Sequence, residues 1–347
     1  MTSKKISTLN LQNYSKLVSN IGFFGPLWGV GINDGYGYAA IRLIQAWQRM
    51  GIPVWANDDT APILFSMGQP PFYHDRVEGK INIGYTAWES TEIPKGWVYY
   101  MNQMDEIWTM CEEMKRVFER YVSVPVRVLH HGIDRNDFPV SKRSLKQLGP
   151  DAFTTMPVAE QFRFLHIGGH APRKGAKEVV EVFCDTFHES NTDVQLILKG
   201  YKFDSIPHRK NITVIRDKYS HEEMLELYQS CHGMIYPCKG EGFGLIPFQA
   251  ASMGIPTAVT DWSGPADYIE RCFPIRAWKM VDCDYEPHLG QWCEPSLEDV
   301  HRWFCAFYDY PEQFFNLAFD KATRNEAYWS WDNQARLAVE YMIENLK

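Results

Sequence analysis

The sequence predicts an α/β protein built from two doubly wound domains. Its 347 residues exceed what one hydrophobic core usually needs and suffice for two. Each half shows a short apolar strand, a glycine-rich loop, a helix and another strand, which is the unit of a parallel sheet. The halves also differ in charge. Residues 1–150 carry 16 basic and 14 acidic side chains, a net of +2, and the remainder carries 19 and 29, a net of −10.

The overall composition excludes several classes of protein. The chain is 45% hydrophobic and 22% charged, as globular proteins are, and its net charge of −8 argues against a strongly electrostatic nucleic-acid binder. No apolar run reaches membrane-spanning length, and the polar start Met1–Lys5 lacks a following apolar signal region. We therefore expect a soluble, cytoplasmic protein. Its eight cysteines form no Cys-x-x-Cys pair and no zinc-type spacing with histidine, so we expect reduced thiols.

The first half opens with a strand, loop, helix and strand over residues 21–56. The loop contains Gly31, Gly35 and Gly37, and Gly51 closes the helix. Further strands are predicted at 81–85, 104–110 and 124–129, with a helix at 111–121 before the last of them. The loop after the first of these strands holds Trp88 and Glu89, and the last strand ends at His130 and His131. Adjacent strand residues face opposite ways, so a metal site at the two histidines is not expected.

The second half follows a segment without apolar periodicity, residues 139–161, which we interpret as the linker. A strand at 162–167 leads into a loop that contains Arg173 and Lys174 and then into a helix ending near Phe187. More strands are predicted at 194–200, 212–216, 234–237 and 257–261. A helix at 220–231 starts with a capping box formed by Ser220 and Glu223. The tail is predicted to be a helix ending at Leu346.

The loop Lys239–Gly244 and the segment after it organise the second half. Glycines flank Phe243, so backbone N–H groups can approach a ligand without a Cβ in the way. A helix should start near Leu245, with Pro247 in its first turn, and stop at Gly254. Its N-terminus provides free N–H donors and a partial positive charge near Glu241. An ordinary buried helix after a tight turn explains the glycines, but a carboxylate inside the loop requires a polar partner.

The string Glu-Gly-Phe-Gly-Leu at 241–245, with a polar residue eight positions after Glu241 and a Gly-x-Pro ending, resembles the donor motif of family-four glycosyltransferases, the glycosyl transferases group 1 type. This resemblance implies the GT-B fold, in which two Rossmann-like domains face across a cleft and a C-terminal helix crosses back to the first. The implied boundaries are 1–155 with 329–347 for the acceptor-side domain and 160–328 for the donor domain. The implied activity is that of a retaining, metal-independent hexosyltransferase without a cofactor, using UDP- or GDP-hexose as co-substrate.

The resemblance also assigns roles to residues. Glu241, Lys174 and Arg173 are expected to be catalytic. Glu241 would fix the sugar, and Lys174 and Arg173 would stabilise the leaving diphosphate. Arg173 would replace an arginine that many relatives place where this chain has Gly169 and His170. The expected contacts of the sugar nucleotide are Gly242, Phe243, Gly244, Leu245, Gln249, Gly35, Gly37, Gly169 and Arg216. Gln249 stands where the family has a glutamate, and an amide can hydrogen-bond a diol without charge assistance. Asp267 takes an acidic position near the phosphates.

The acceptor is the least defined part of the prediction. Contacts are expected from Trp88, Glu89 and Tyr36. The aromatic side chains of the first half that are predicted to be exposed are Trp28, Tyr36, Trp88, Trp97, Tyr99 and Tyr100. Aromatic rings stack on sugars and on bases alike. Because residues 1–150 show no basic stripe, a small molecule or saccharide is favoured over hydroxymethylated DNA.

The sequence is also compatible with three alternatives. A non-catalytic sugar-nucleotide-binding module is suggested by Gln249, and an epimerase or phosphorylase would use the same fold. Asp282-Cys283-Asp284 has the Asp-x-Asp form that holds a metal in other glycosyltransferases. It follows the donor motif instead of preceding it, so no metal is expected there.

Overall fold

The computed structural model describes residues 17–26, 35–145, 161–169, 171–203 and 205–345. Its contacts divide the chain into two compact units. Unit 1 comprises Met1–Trp88, Glu92–Ile133 and Asn325–Lys347, and unit 2 comprises Glu89–Thr91 and Asp134–Arg324. Each unit contains a six-stranded sheet whose neighbouring strands are parallel, so the predicted two-domain α/β fold is confirmed. Most of the predicted linker, residues 146–160, lies outside the described residues.

The described chain contains fourteen strands and nine α-helices. The strands are β1 Ile21–Phe24, β2 Val54–Ala56, β3 Ile63–Met67, β4 Ile81–Tyr85, β5 Glu106–Thr109, β6 Val126–Val128, β7 Phe162–Ile167, β8 Val194–Lys199, β9 Ile212–Ile215, β10 Gly233–Tyr236, β11 Thr257–Thr260, β12 Phe273–Ile275, β13 Ala277–Asp282 and β14 Gln291–Pro295. The helices are α1 Gly35–Arg49, α2 Lys95–Met101, α3 Glu112–Phe118, α4 Ala176–Thr186, α5 His221–Ser230, α6 Leu245–Ser252, α7 Leu297–Asp309, α8 Pro311–Ala322 and α9 Trp331–Asn345.

Unit 1 has the strand order β2-β1-β3-β4-β5-β6. Its core centres on Phe65 of β3, whose ring makes edge-on contacts with Trp47 of α1 at 5.3 Å and with Trp108 of β5 at 5.5 Å. The C-terminal helix α9 belongs to this unit. Trp47 Nε1 donates to the carbonyl of Ala335 in α9, and Arg127 of β6 pairs with Glu344. The C-terminal segment is therefore part of the first unit's own structure.

Unit 2 has the order β12-β11-β10-β7-β8-β9, in which the first strand of the unit, β7, lies between β8 and β10. The chain builds the sheet outward from β7 first in one direction and then in the other. In open parallel sheets this reversal leaves a crevice beyond the carboxyl ends of the two central strands, where ligands bind. The loops that follow β7 and β10 are the loops to which the sequence assigns the donor site.

Helix α6 has the boundaries that its sequence predicts. Gly244 precedes it with a left-handed φ of +85°, and Gly254 follows it with φ of +83°, a conformation that stops the helix. The capping box of α5 is also confirmed, because Ser220 accepts from the Glu223 amide and Glu223 accepts from the Ser220 amide. Both helices were predictable because their ends are encoded locally.

Several elements were not predicted. Strand β3 is a five-residue run between Pro62 and Gly68 that is apolar except for Ser66. It is too short for its periodicity to distinguish a strand from a buried helix. Helices α2, α7 and α8 also escaped prediction. So did the antiparallel hairpin β13–β14, which lies outside the six-stranded sheet of unit 2.

Candidate functional site

The candidate site lies at the switch point of unit 2, where the loops after β7 and β10 meet. The amide of Lys239 donates to the carbonyl of Arg173 at 2.6 Å, which joins the two loops directly. Gly175 allows this approach. It has φ of +79°, and a Cβ there would lie 2.2 Å from the carbonyl oxygen of Pro237. The sequence thus places a glycine where the two loops must touch.

Glu241 is buried, and both its carboxylate and its backbone carbonyl have hydrogen-bond or ion-pair partners. Its Oε1 accepts from the Tyr236 hydroxyl at 2.8 Å and lies 3.0 Å from Nη1 of Arg173. Its backbone carbonyl accepts from the Gly264 amide and the Ser263 hydroxyl, both at 2.9 Å. Burial and the adjacent carboxylate raise the pKa of Tyr236 well above its usual value, so this hydroxyl stays a donor. The carboxylate predicted to need a polar partner therefore has two.

The amides beside Glu241 are available to a ligand. Gly242 and Gly244 are buried, yet no acceptor among the described residues takes a hydrogen bond from either amide. Buried amides without acceptors are rare, because each costs free energy. They precede Leu245, the first residue of α6, whose N-terminus adds a partial positive charge. This group of donors fits hydroxyl oxygens or an anion.

Arg173 bridges two carboxylates. Its Nη1 lies 3.0 Å from Glu241 Oε1 and also donates to the carbonyl of Gly240 at 2.9 Å, while Nη2 lies 3.2 Å from Glu89 Oε1. Burial lowers the pKa of this arginine, but Glu241 and Glu89 outweigh that effect and raise it. The guanidinium is thus permanently charged and committed to these partners. It is less available to a phosphate than the sequence suggested.

Lys174 differs from its neighbour. It is half-buried, its side chain packs over Gly168, and none of the described residues forms an ion pair or hydrogen bond with its ammonium. It is close enough to Glu89 to lower that group's pKa through space. Within the described part of the loop, Lys174 is the cation left for an anionic ligand.

The other residues of unit 2 that were predicted to contact the sugar nucleotide lie on different elements of the unit. Gln249 is buried in α6, where its Oε1 lies 3.5 Å from the Tyr228 hydroxyl. Phe243 is buried and packs against Phe248 and Tyr268, so it presents its backbone and not its ring. Arg216 is exposed after the edge strand β9, which β8 separates from β7. Gly169 stands in the loop after β7, against Lys202.

The predicted contacts of unit 1 are only partly at its surface. Gly35 and Gly37 form the first turn of α1, and the Tyr36 hydroxyl accepts from the Ala87 amide at 2.8 Å. The expected exposure of Trp88 and Trp97 is wrong. They are 3% and 6% exposed and pack edge to face at 4.7 Å inside the unit.

The reason for this burial is local, since Trp88 Nε1 donates to the carbonyl of Glu92 and satisfies the polar end of its ring. Tyr99 and Tyr100 are exposed, as predicted. Trp28 and Gly31 lie outside the described residues.

Glu89, predicted as an acceptor contact, belongs to unit 2. Its two oxygens contact Arg173 and His288, the latter at 3.1 Å. Burial alone would raise the pKa of this carboxyl, but Arg173, His288 and Lys174 together lower it to about 2. Glu89 is therefore an anion at neutral pH.

Four residues that contribute to the site were not predicted from the sequence. The Tyr236 hydroxyl donates to the Glu241 carboxylate, and the Tyr268 hydroxyl donates to the Gly244 carbonyl. Lys239 pairs with Glu178 of α4 at 3.0 Å. His288 comes from the hairpin, more than forty residues after the motif. A tyrosine at the end of a strand five positions before Glu241 was visible in the sequence, but nothing local marks His288.

No group of three or more His, Cys, Asp or Glu side chains within the described ranges has a metal-binding arrangement. In the Asp-x-Asp string, Asp282 accepts from the Gln291 side chain at 3.1 Å across the hairpin. No helix of the described chain combines the length and the apolar character that a membrane span requires.

Residues 155–273 match the family model described as glycosyl transferases group 1. This stretch is similar to the glycosyl transferases of group 1. It includes both loops of the candidate site, from Gly168 to Gly244. No curated protein matches the chain in sequence.

Solved structures extend the fold assignment to both units of the chain. Sucrose-phosphate synthase from Thermosynechococcus elongatus is 12% identical, with 94% of this chain and 98% of that chain covered at a TM-score of 0.65. HepE of Anabaena, in complex with UDP and glucose, is 12% identical, with 94% of this chain and 99% of that chain covered at a TM-score of 0.65. The UDP-forming α,α-trehalose-phosphate synthase of Burkholderia vietnamiensis is 10% identical, with 89% of this chain and 76% of that chain covered at a TM-score of 0.64. At these identities the similarity establishes the GT-B fold alone.

Proposed function

We propose that this protein transfers a hexose from a UDP-sugar to an acceptor hydroxyl with retention at the anomeric carbon. The observation that carries the proposal is the combination at the switch point of unit 2. A fixed carboxylate, Glu241, stands beside two buried amides without acceptors, and Lys174 lies in the loop on the other side of the switch point. The family match and the structural neighbours solved with UDP or UDP-glucose favour UDP over GDP.

The residues divide the work between the sugar and the leaving group. Glu241 accepts hydrogen bonds from hydroxyls of the donor sugar. The amides of Gly242 and Gly244 donate hydrogen bonds to oxygens of the same sugar. Lys174, with the N-terminus of α6, stabilises the negative charge that develops on the diphosphate as the anomeric C–O bond breaks. Gln249 hydrogen-bonds the ribose diol from within α6.

The reaction balances without an added reagent. The bond between C1 and the diphosphate oxygen breaks with its electrons on the oxygen, and a bond forms between C1 and the acceptor oxygen. The acceptor hydroxyl gives its proton to an oxygen of the departing diphosphate, and UDP leaves with that proton. No metal is required in this scheme, because Lys174 and the helix N-terminus supply the positive charge. The acceptor we propose is a small molecule or a saccharide.

The direct test is donor consumption by the purified protein. Incubation with mixed UDP- and GDP-sugars and a set of saccharide acceptors, followed by mass spectrometry, should show loss of one UDP-hexose and appearance of UDP and a glycosylated acceptor. Product formed equally from GDP-sugars would refute the base preference. Interconversion of sugar nucleotides without transfer would refute the reaction type in favour of an epimerase.

A further inference from the structure

Glu89 contacts the site with both its side chain and its backbone. Its carboxylate joins Nη2 of Arg173, at 3.2 Å, to Nε2 of His288, at 3.1 Å. Its backbone carbonyl lies against Gly240, where a Cβ would come within 2.0 Å of the oxygen. Only glycine at 240 permits this approach. The glycine at position 240, directly before Glu241, therefore allows the Glu89 backbone to pack against this loop.

The hairpin β13–β14 holds this arrangement. The Thr91 amide donates to the Gln291 carbonyl at 2.9 Å, and the Gln291 amide donates to the Thr91 hydroxyl at 2.7 Å. Two residues further along β14, the Cys293 amide donates to the Lys239 carbonyl at 2.9 Å. One strand therefore fastens both the Glu89–Thr91 segment and the loop that carries Glu241.

His288 lies in the turn of the same hairpin. Its side chain is 8% exposed and its ring packs 5.8 Å from that of the buried Trp292. The position of the imidazole is thus set by the hairpin's own packing. A side chain placed this way can orient a carboxylate without reaching any ligand.

The charge arrangement explains why a second carboxylate is useful. With Glu241 alone, the Nη2 side of the Arg173 fork would have no anionic partner, and the guanidinium would be free to turn toward an incoming phosphate. Glu89 occupies that side, so Arg173 stays aligned with Glu241. Lys174 then remains the cation for the diphosphate.

We propose that Glu89 and His288 are positioning residues that hold the Arg173 guanidinium against Glu241, and that they act on the donor sugar only through these two side chains. The inference rests on the proposed function for its kinetic consequences, and on geometry alone for its structural ones. It assigns the hairpin β13–β14 the task of aligning the site.

The kinetic test compares Glu89→Gln, His288→Ala and His288→Gln with the wild type in donor consumption. Glu89→Gln should lower kcat about 10- to 100-fold with the donor KM within about threefold, because alignment is lost while Lys174 still binds the diphosphate. His288→Ala should lower kcat, and His288→Gln, which keeps an N–H donor near the Nε2 position, should restore most of it. Glu294→Gln is the matched control, since Glu294 of the same hairpin pairs only with Lys279 at 3.3 Å among the described residues.

A double-mutant cycle tests whether Glu89 acts through Arg173. In an Arg173→Lys background, Glu89→Gln should have less than about a third of its effect on kcat in the wild type, because the aligned fork is already gone. Independent, multiplicative effects would overturn the inference. A rise in donor KM with unchanged kcat would also overturn it, because it would place Glu89 in donor binding.

A measurement without turnover separates this inference from the proposed function. In nitrogen-15 spectra, the Arg173 side-chain N–H signals, assigned by their loss in Arg173→Lys, should show restricted rotation in the wild type and in Glu294→Gln. They should show faster rotation in Glu89→Gln and His288→Ala. Unchanged rotation in both variants would overturn the positioning role, whether or not any sugar nucleotide is consumed. A wild type without turnover but with the expected change in rotation would refute only the proposed function.

Discussion

Replacing Glu241 by Gln removes one charge from the site and keeps the shape of the side chain. The amide oxygen can still accept from the Tyr236 hydroxyl, and Arg173 keeps Glu89 as an anionic partner. The loss of stability should therefore stay near the low end of the roughly 1–3 kcal/mol that an unsatisfied buried group costs. Glu241→Ala removes the acceptor as well and should be destabilised further by about 1 kcal/mol or more.

The effect on turnover should be much larger than the effect on stability. A hydrogen bond to a charged group contributes about 1.5–3 kcal/mol, against about 0.5–1.5 for a neutral one. Removal of one aligned polar group in a buried active site commonly costs about 10²–10³-fold in kcat. We expect a loss of that size for Glu241→Gln.

The assay is UDP release from the donor, with thermal unfolding measured on the same preparations and Glu294→Gln as the control. Glu294 is a carboxylate of unit 2 that faces Lys279 and not Arg173, so this variant should retain the wild-type rate. Turnover of Glu241→Gln within about threefold of the wild type, in a folded protein, would refute the role given to the carboxylate.

Three further predictions concern unit 2, and the last of them has a control substitution in unit 1. Lys174→Ala should weaken UDP binding about 10- to 100-fold in calorimetry, from the roughly 1.5–3 kcal/mol of a charge-assisted contact, and unchanged affinity would contradict its assignment. Gln249→Glu should bind UDP as well as the wild type or more tightly, and Gln249→Ala more weakly; a tenfold loss with Glu would show that the neutral amide is required. Gly175→Ala should lower the free energy of unfolding by at least about 1–2 kcal/mol, the cost of its left-handed conformation. Gly96→Ala, where a Cβ meets nothing within 4 Å, should be neutral or slightly stabilising in the same thermal melts.

The sequence predicted the parts of the site whose determinants are local. The start of α6 after Gly244, its end before Gly254 and the capping box of Ser220 each depend on residues within a few positions of one another. The donor loop was recognisable for the same reason. Its carboxylate stands between glycines, and its neighbours along the chain are its neighbours in space.

The rest depended on contacts between distant parts of the chain. His288 reaches Glu89 across 199 positions, and no pattern around either residue indicates the other. Trp88 resembled an exposed aromatic side chain after a strand, but its packing against Trp97 decides its burial. The role of Arg173 changed for the same reason, since its partners Glu89 and Glu241 are not its neighbours in sequence.

The most direct test of the central claim is consumption of sugar nucleotides by the purified wild type. Mixed UDP- and GDP-hexoses, a panel of saccharide acceptors and a metal chelator are incubated with the protein, and all species are followed by mass spectrometry. We expect one UDP-hexose to disappear while UDP and one glycosylated acceptor accumulate in equal amounts. Sugar nucleotides that all persist unchanged, while UDP binding is intact, would contradict it and leave a binding module.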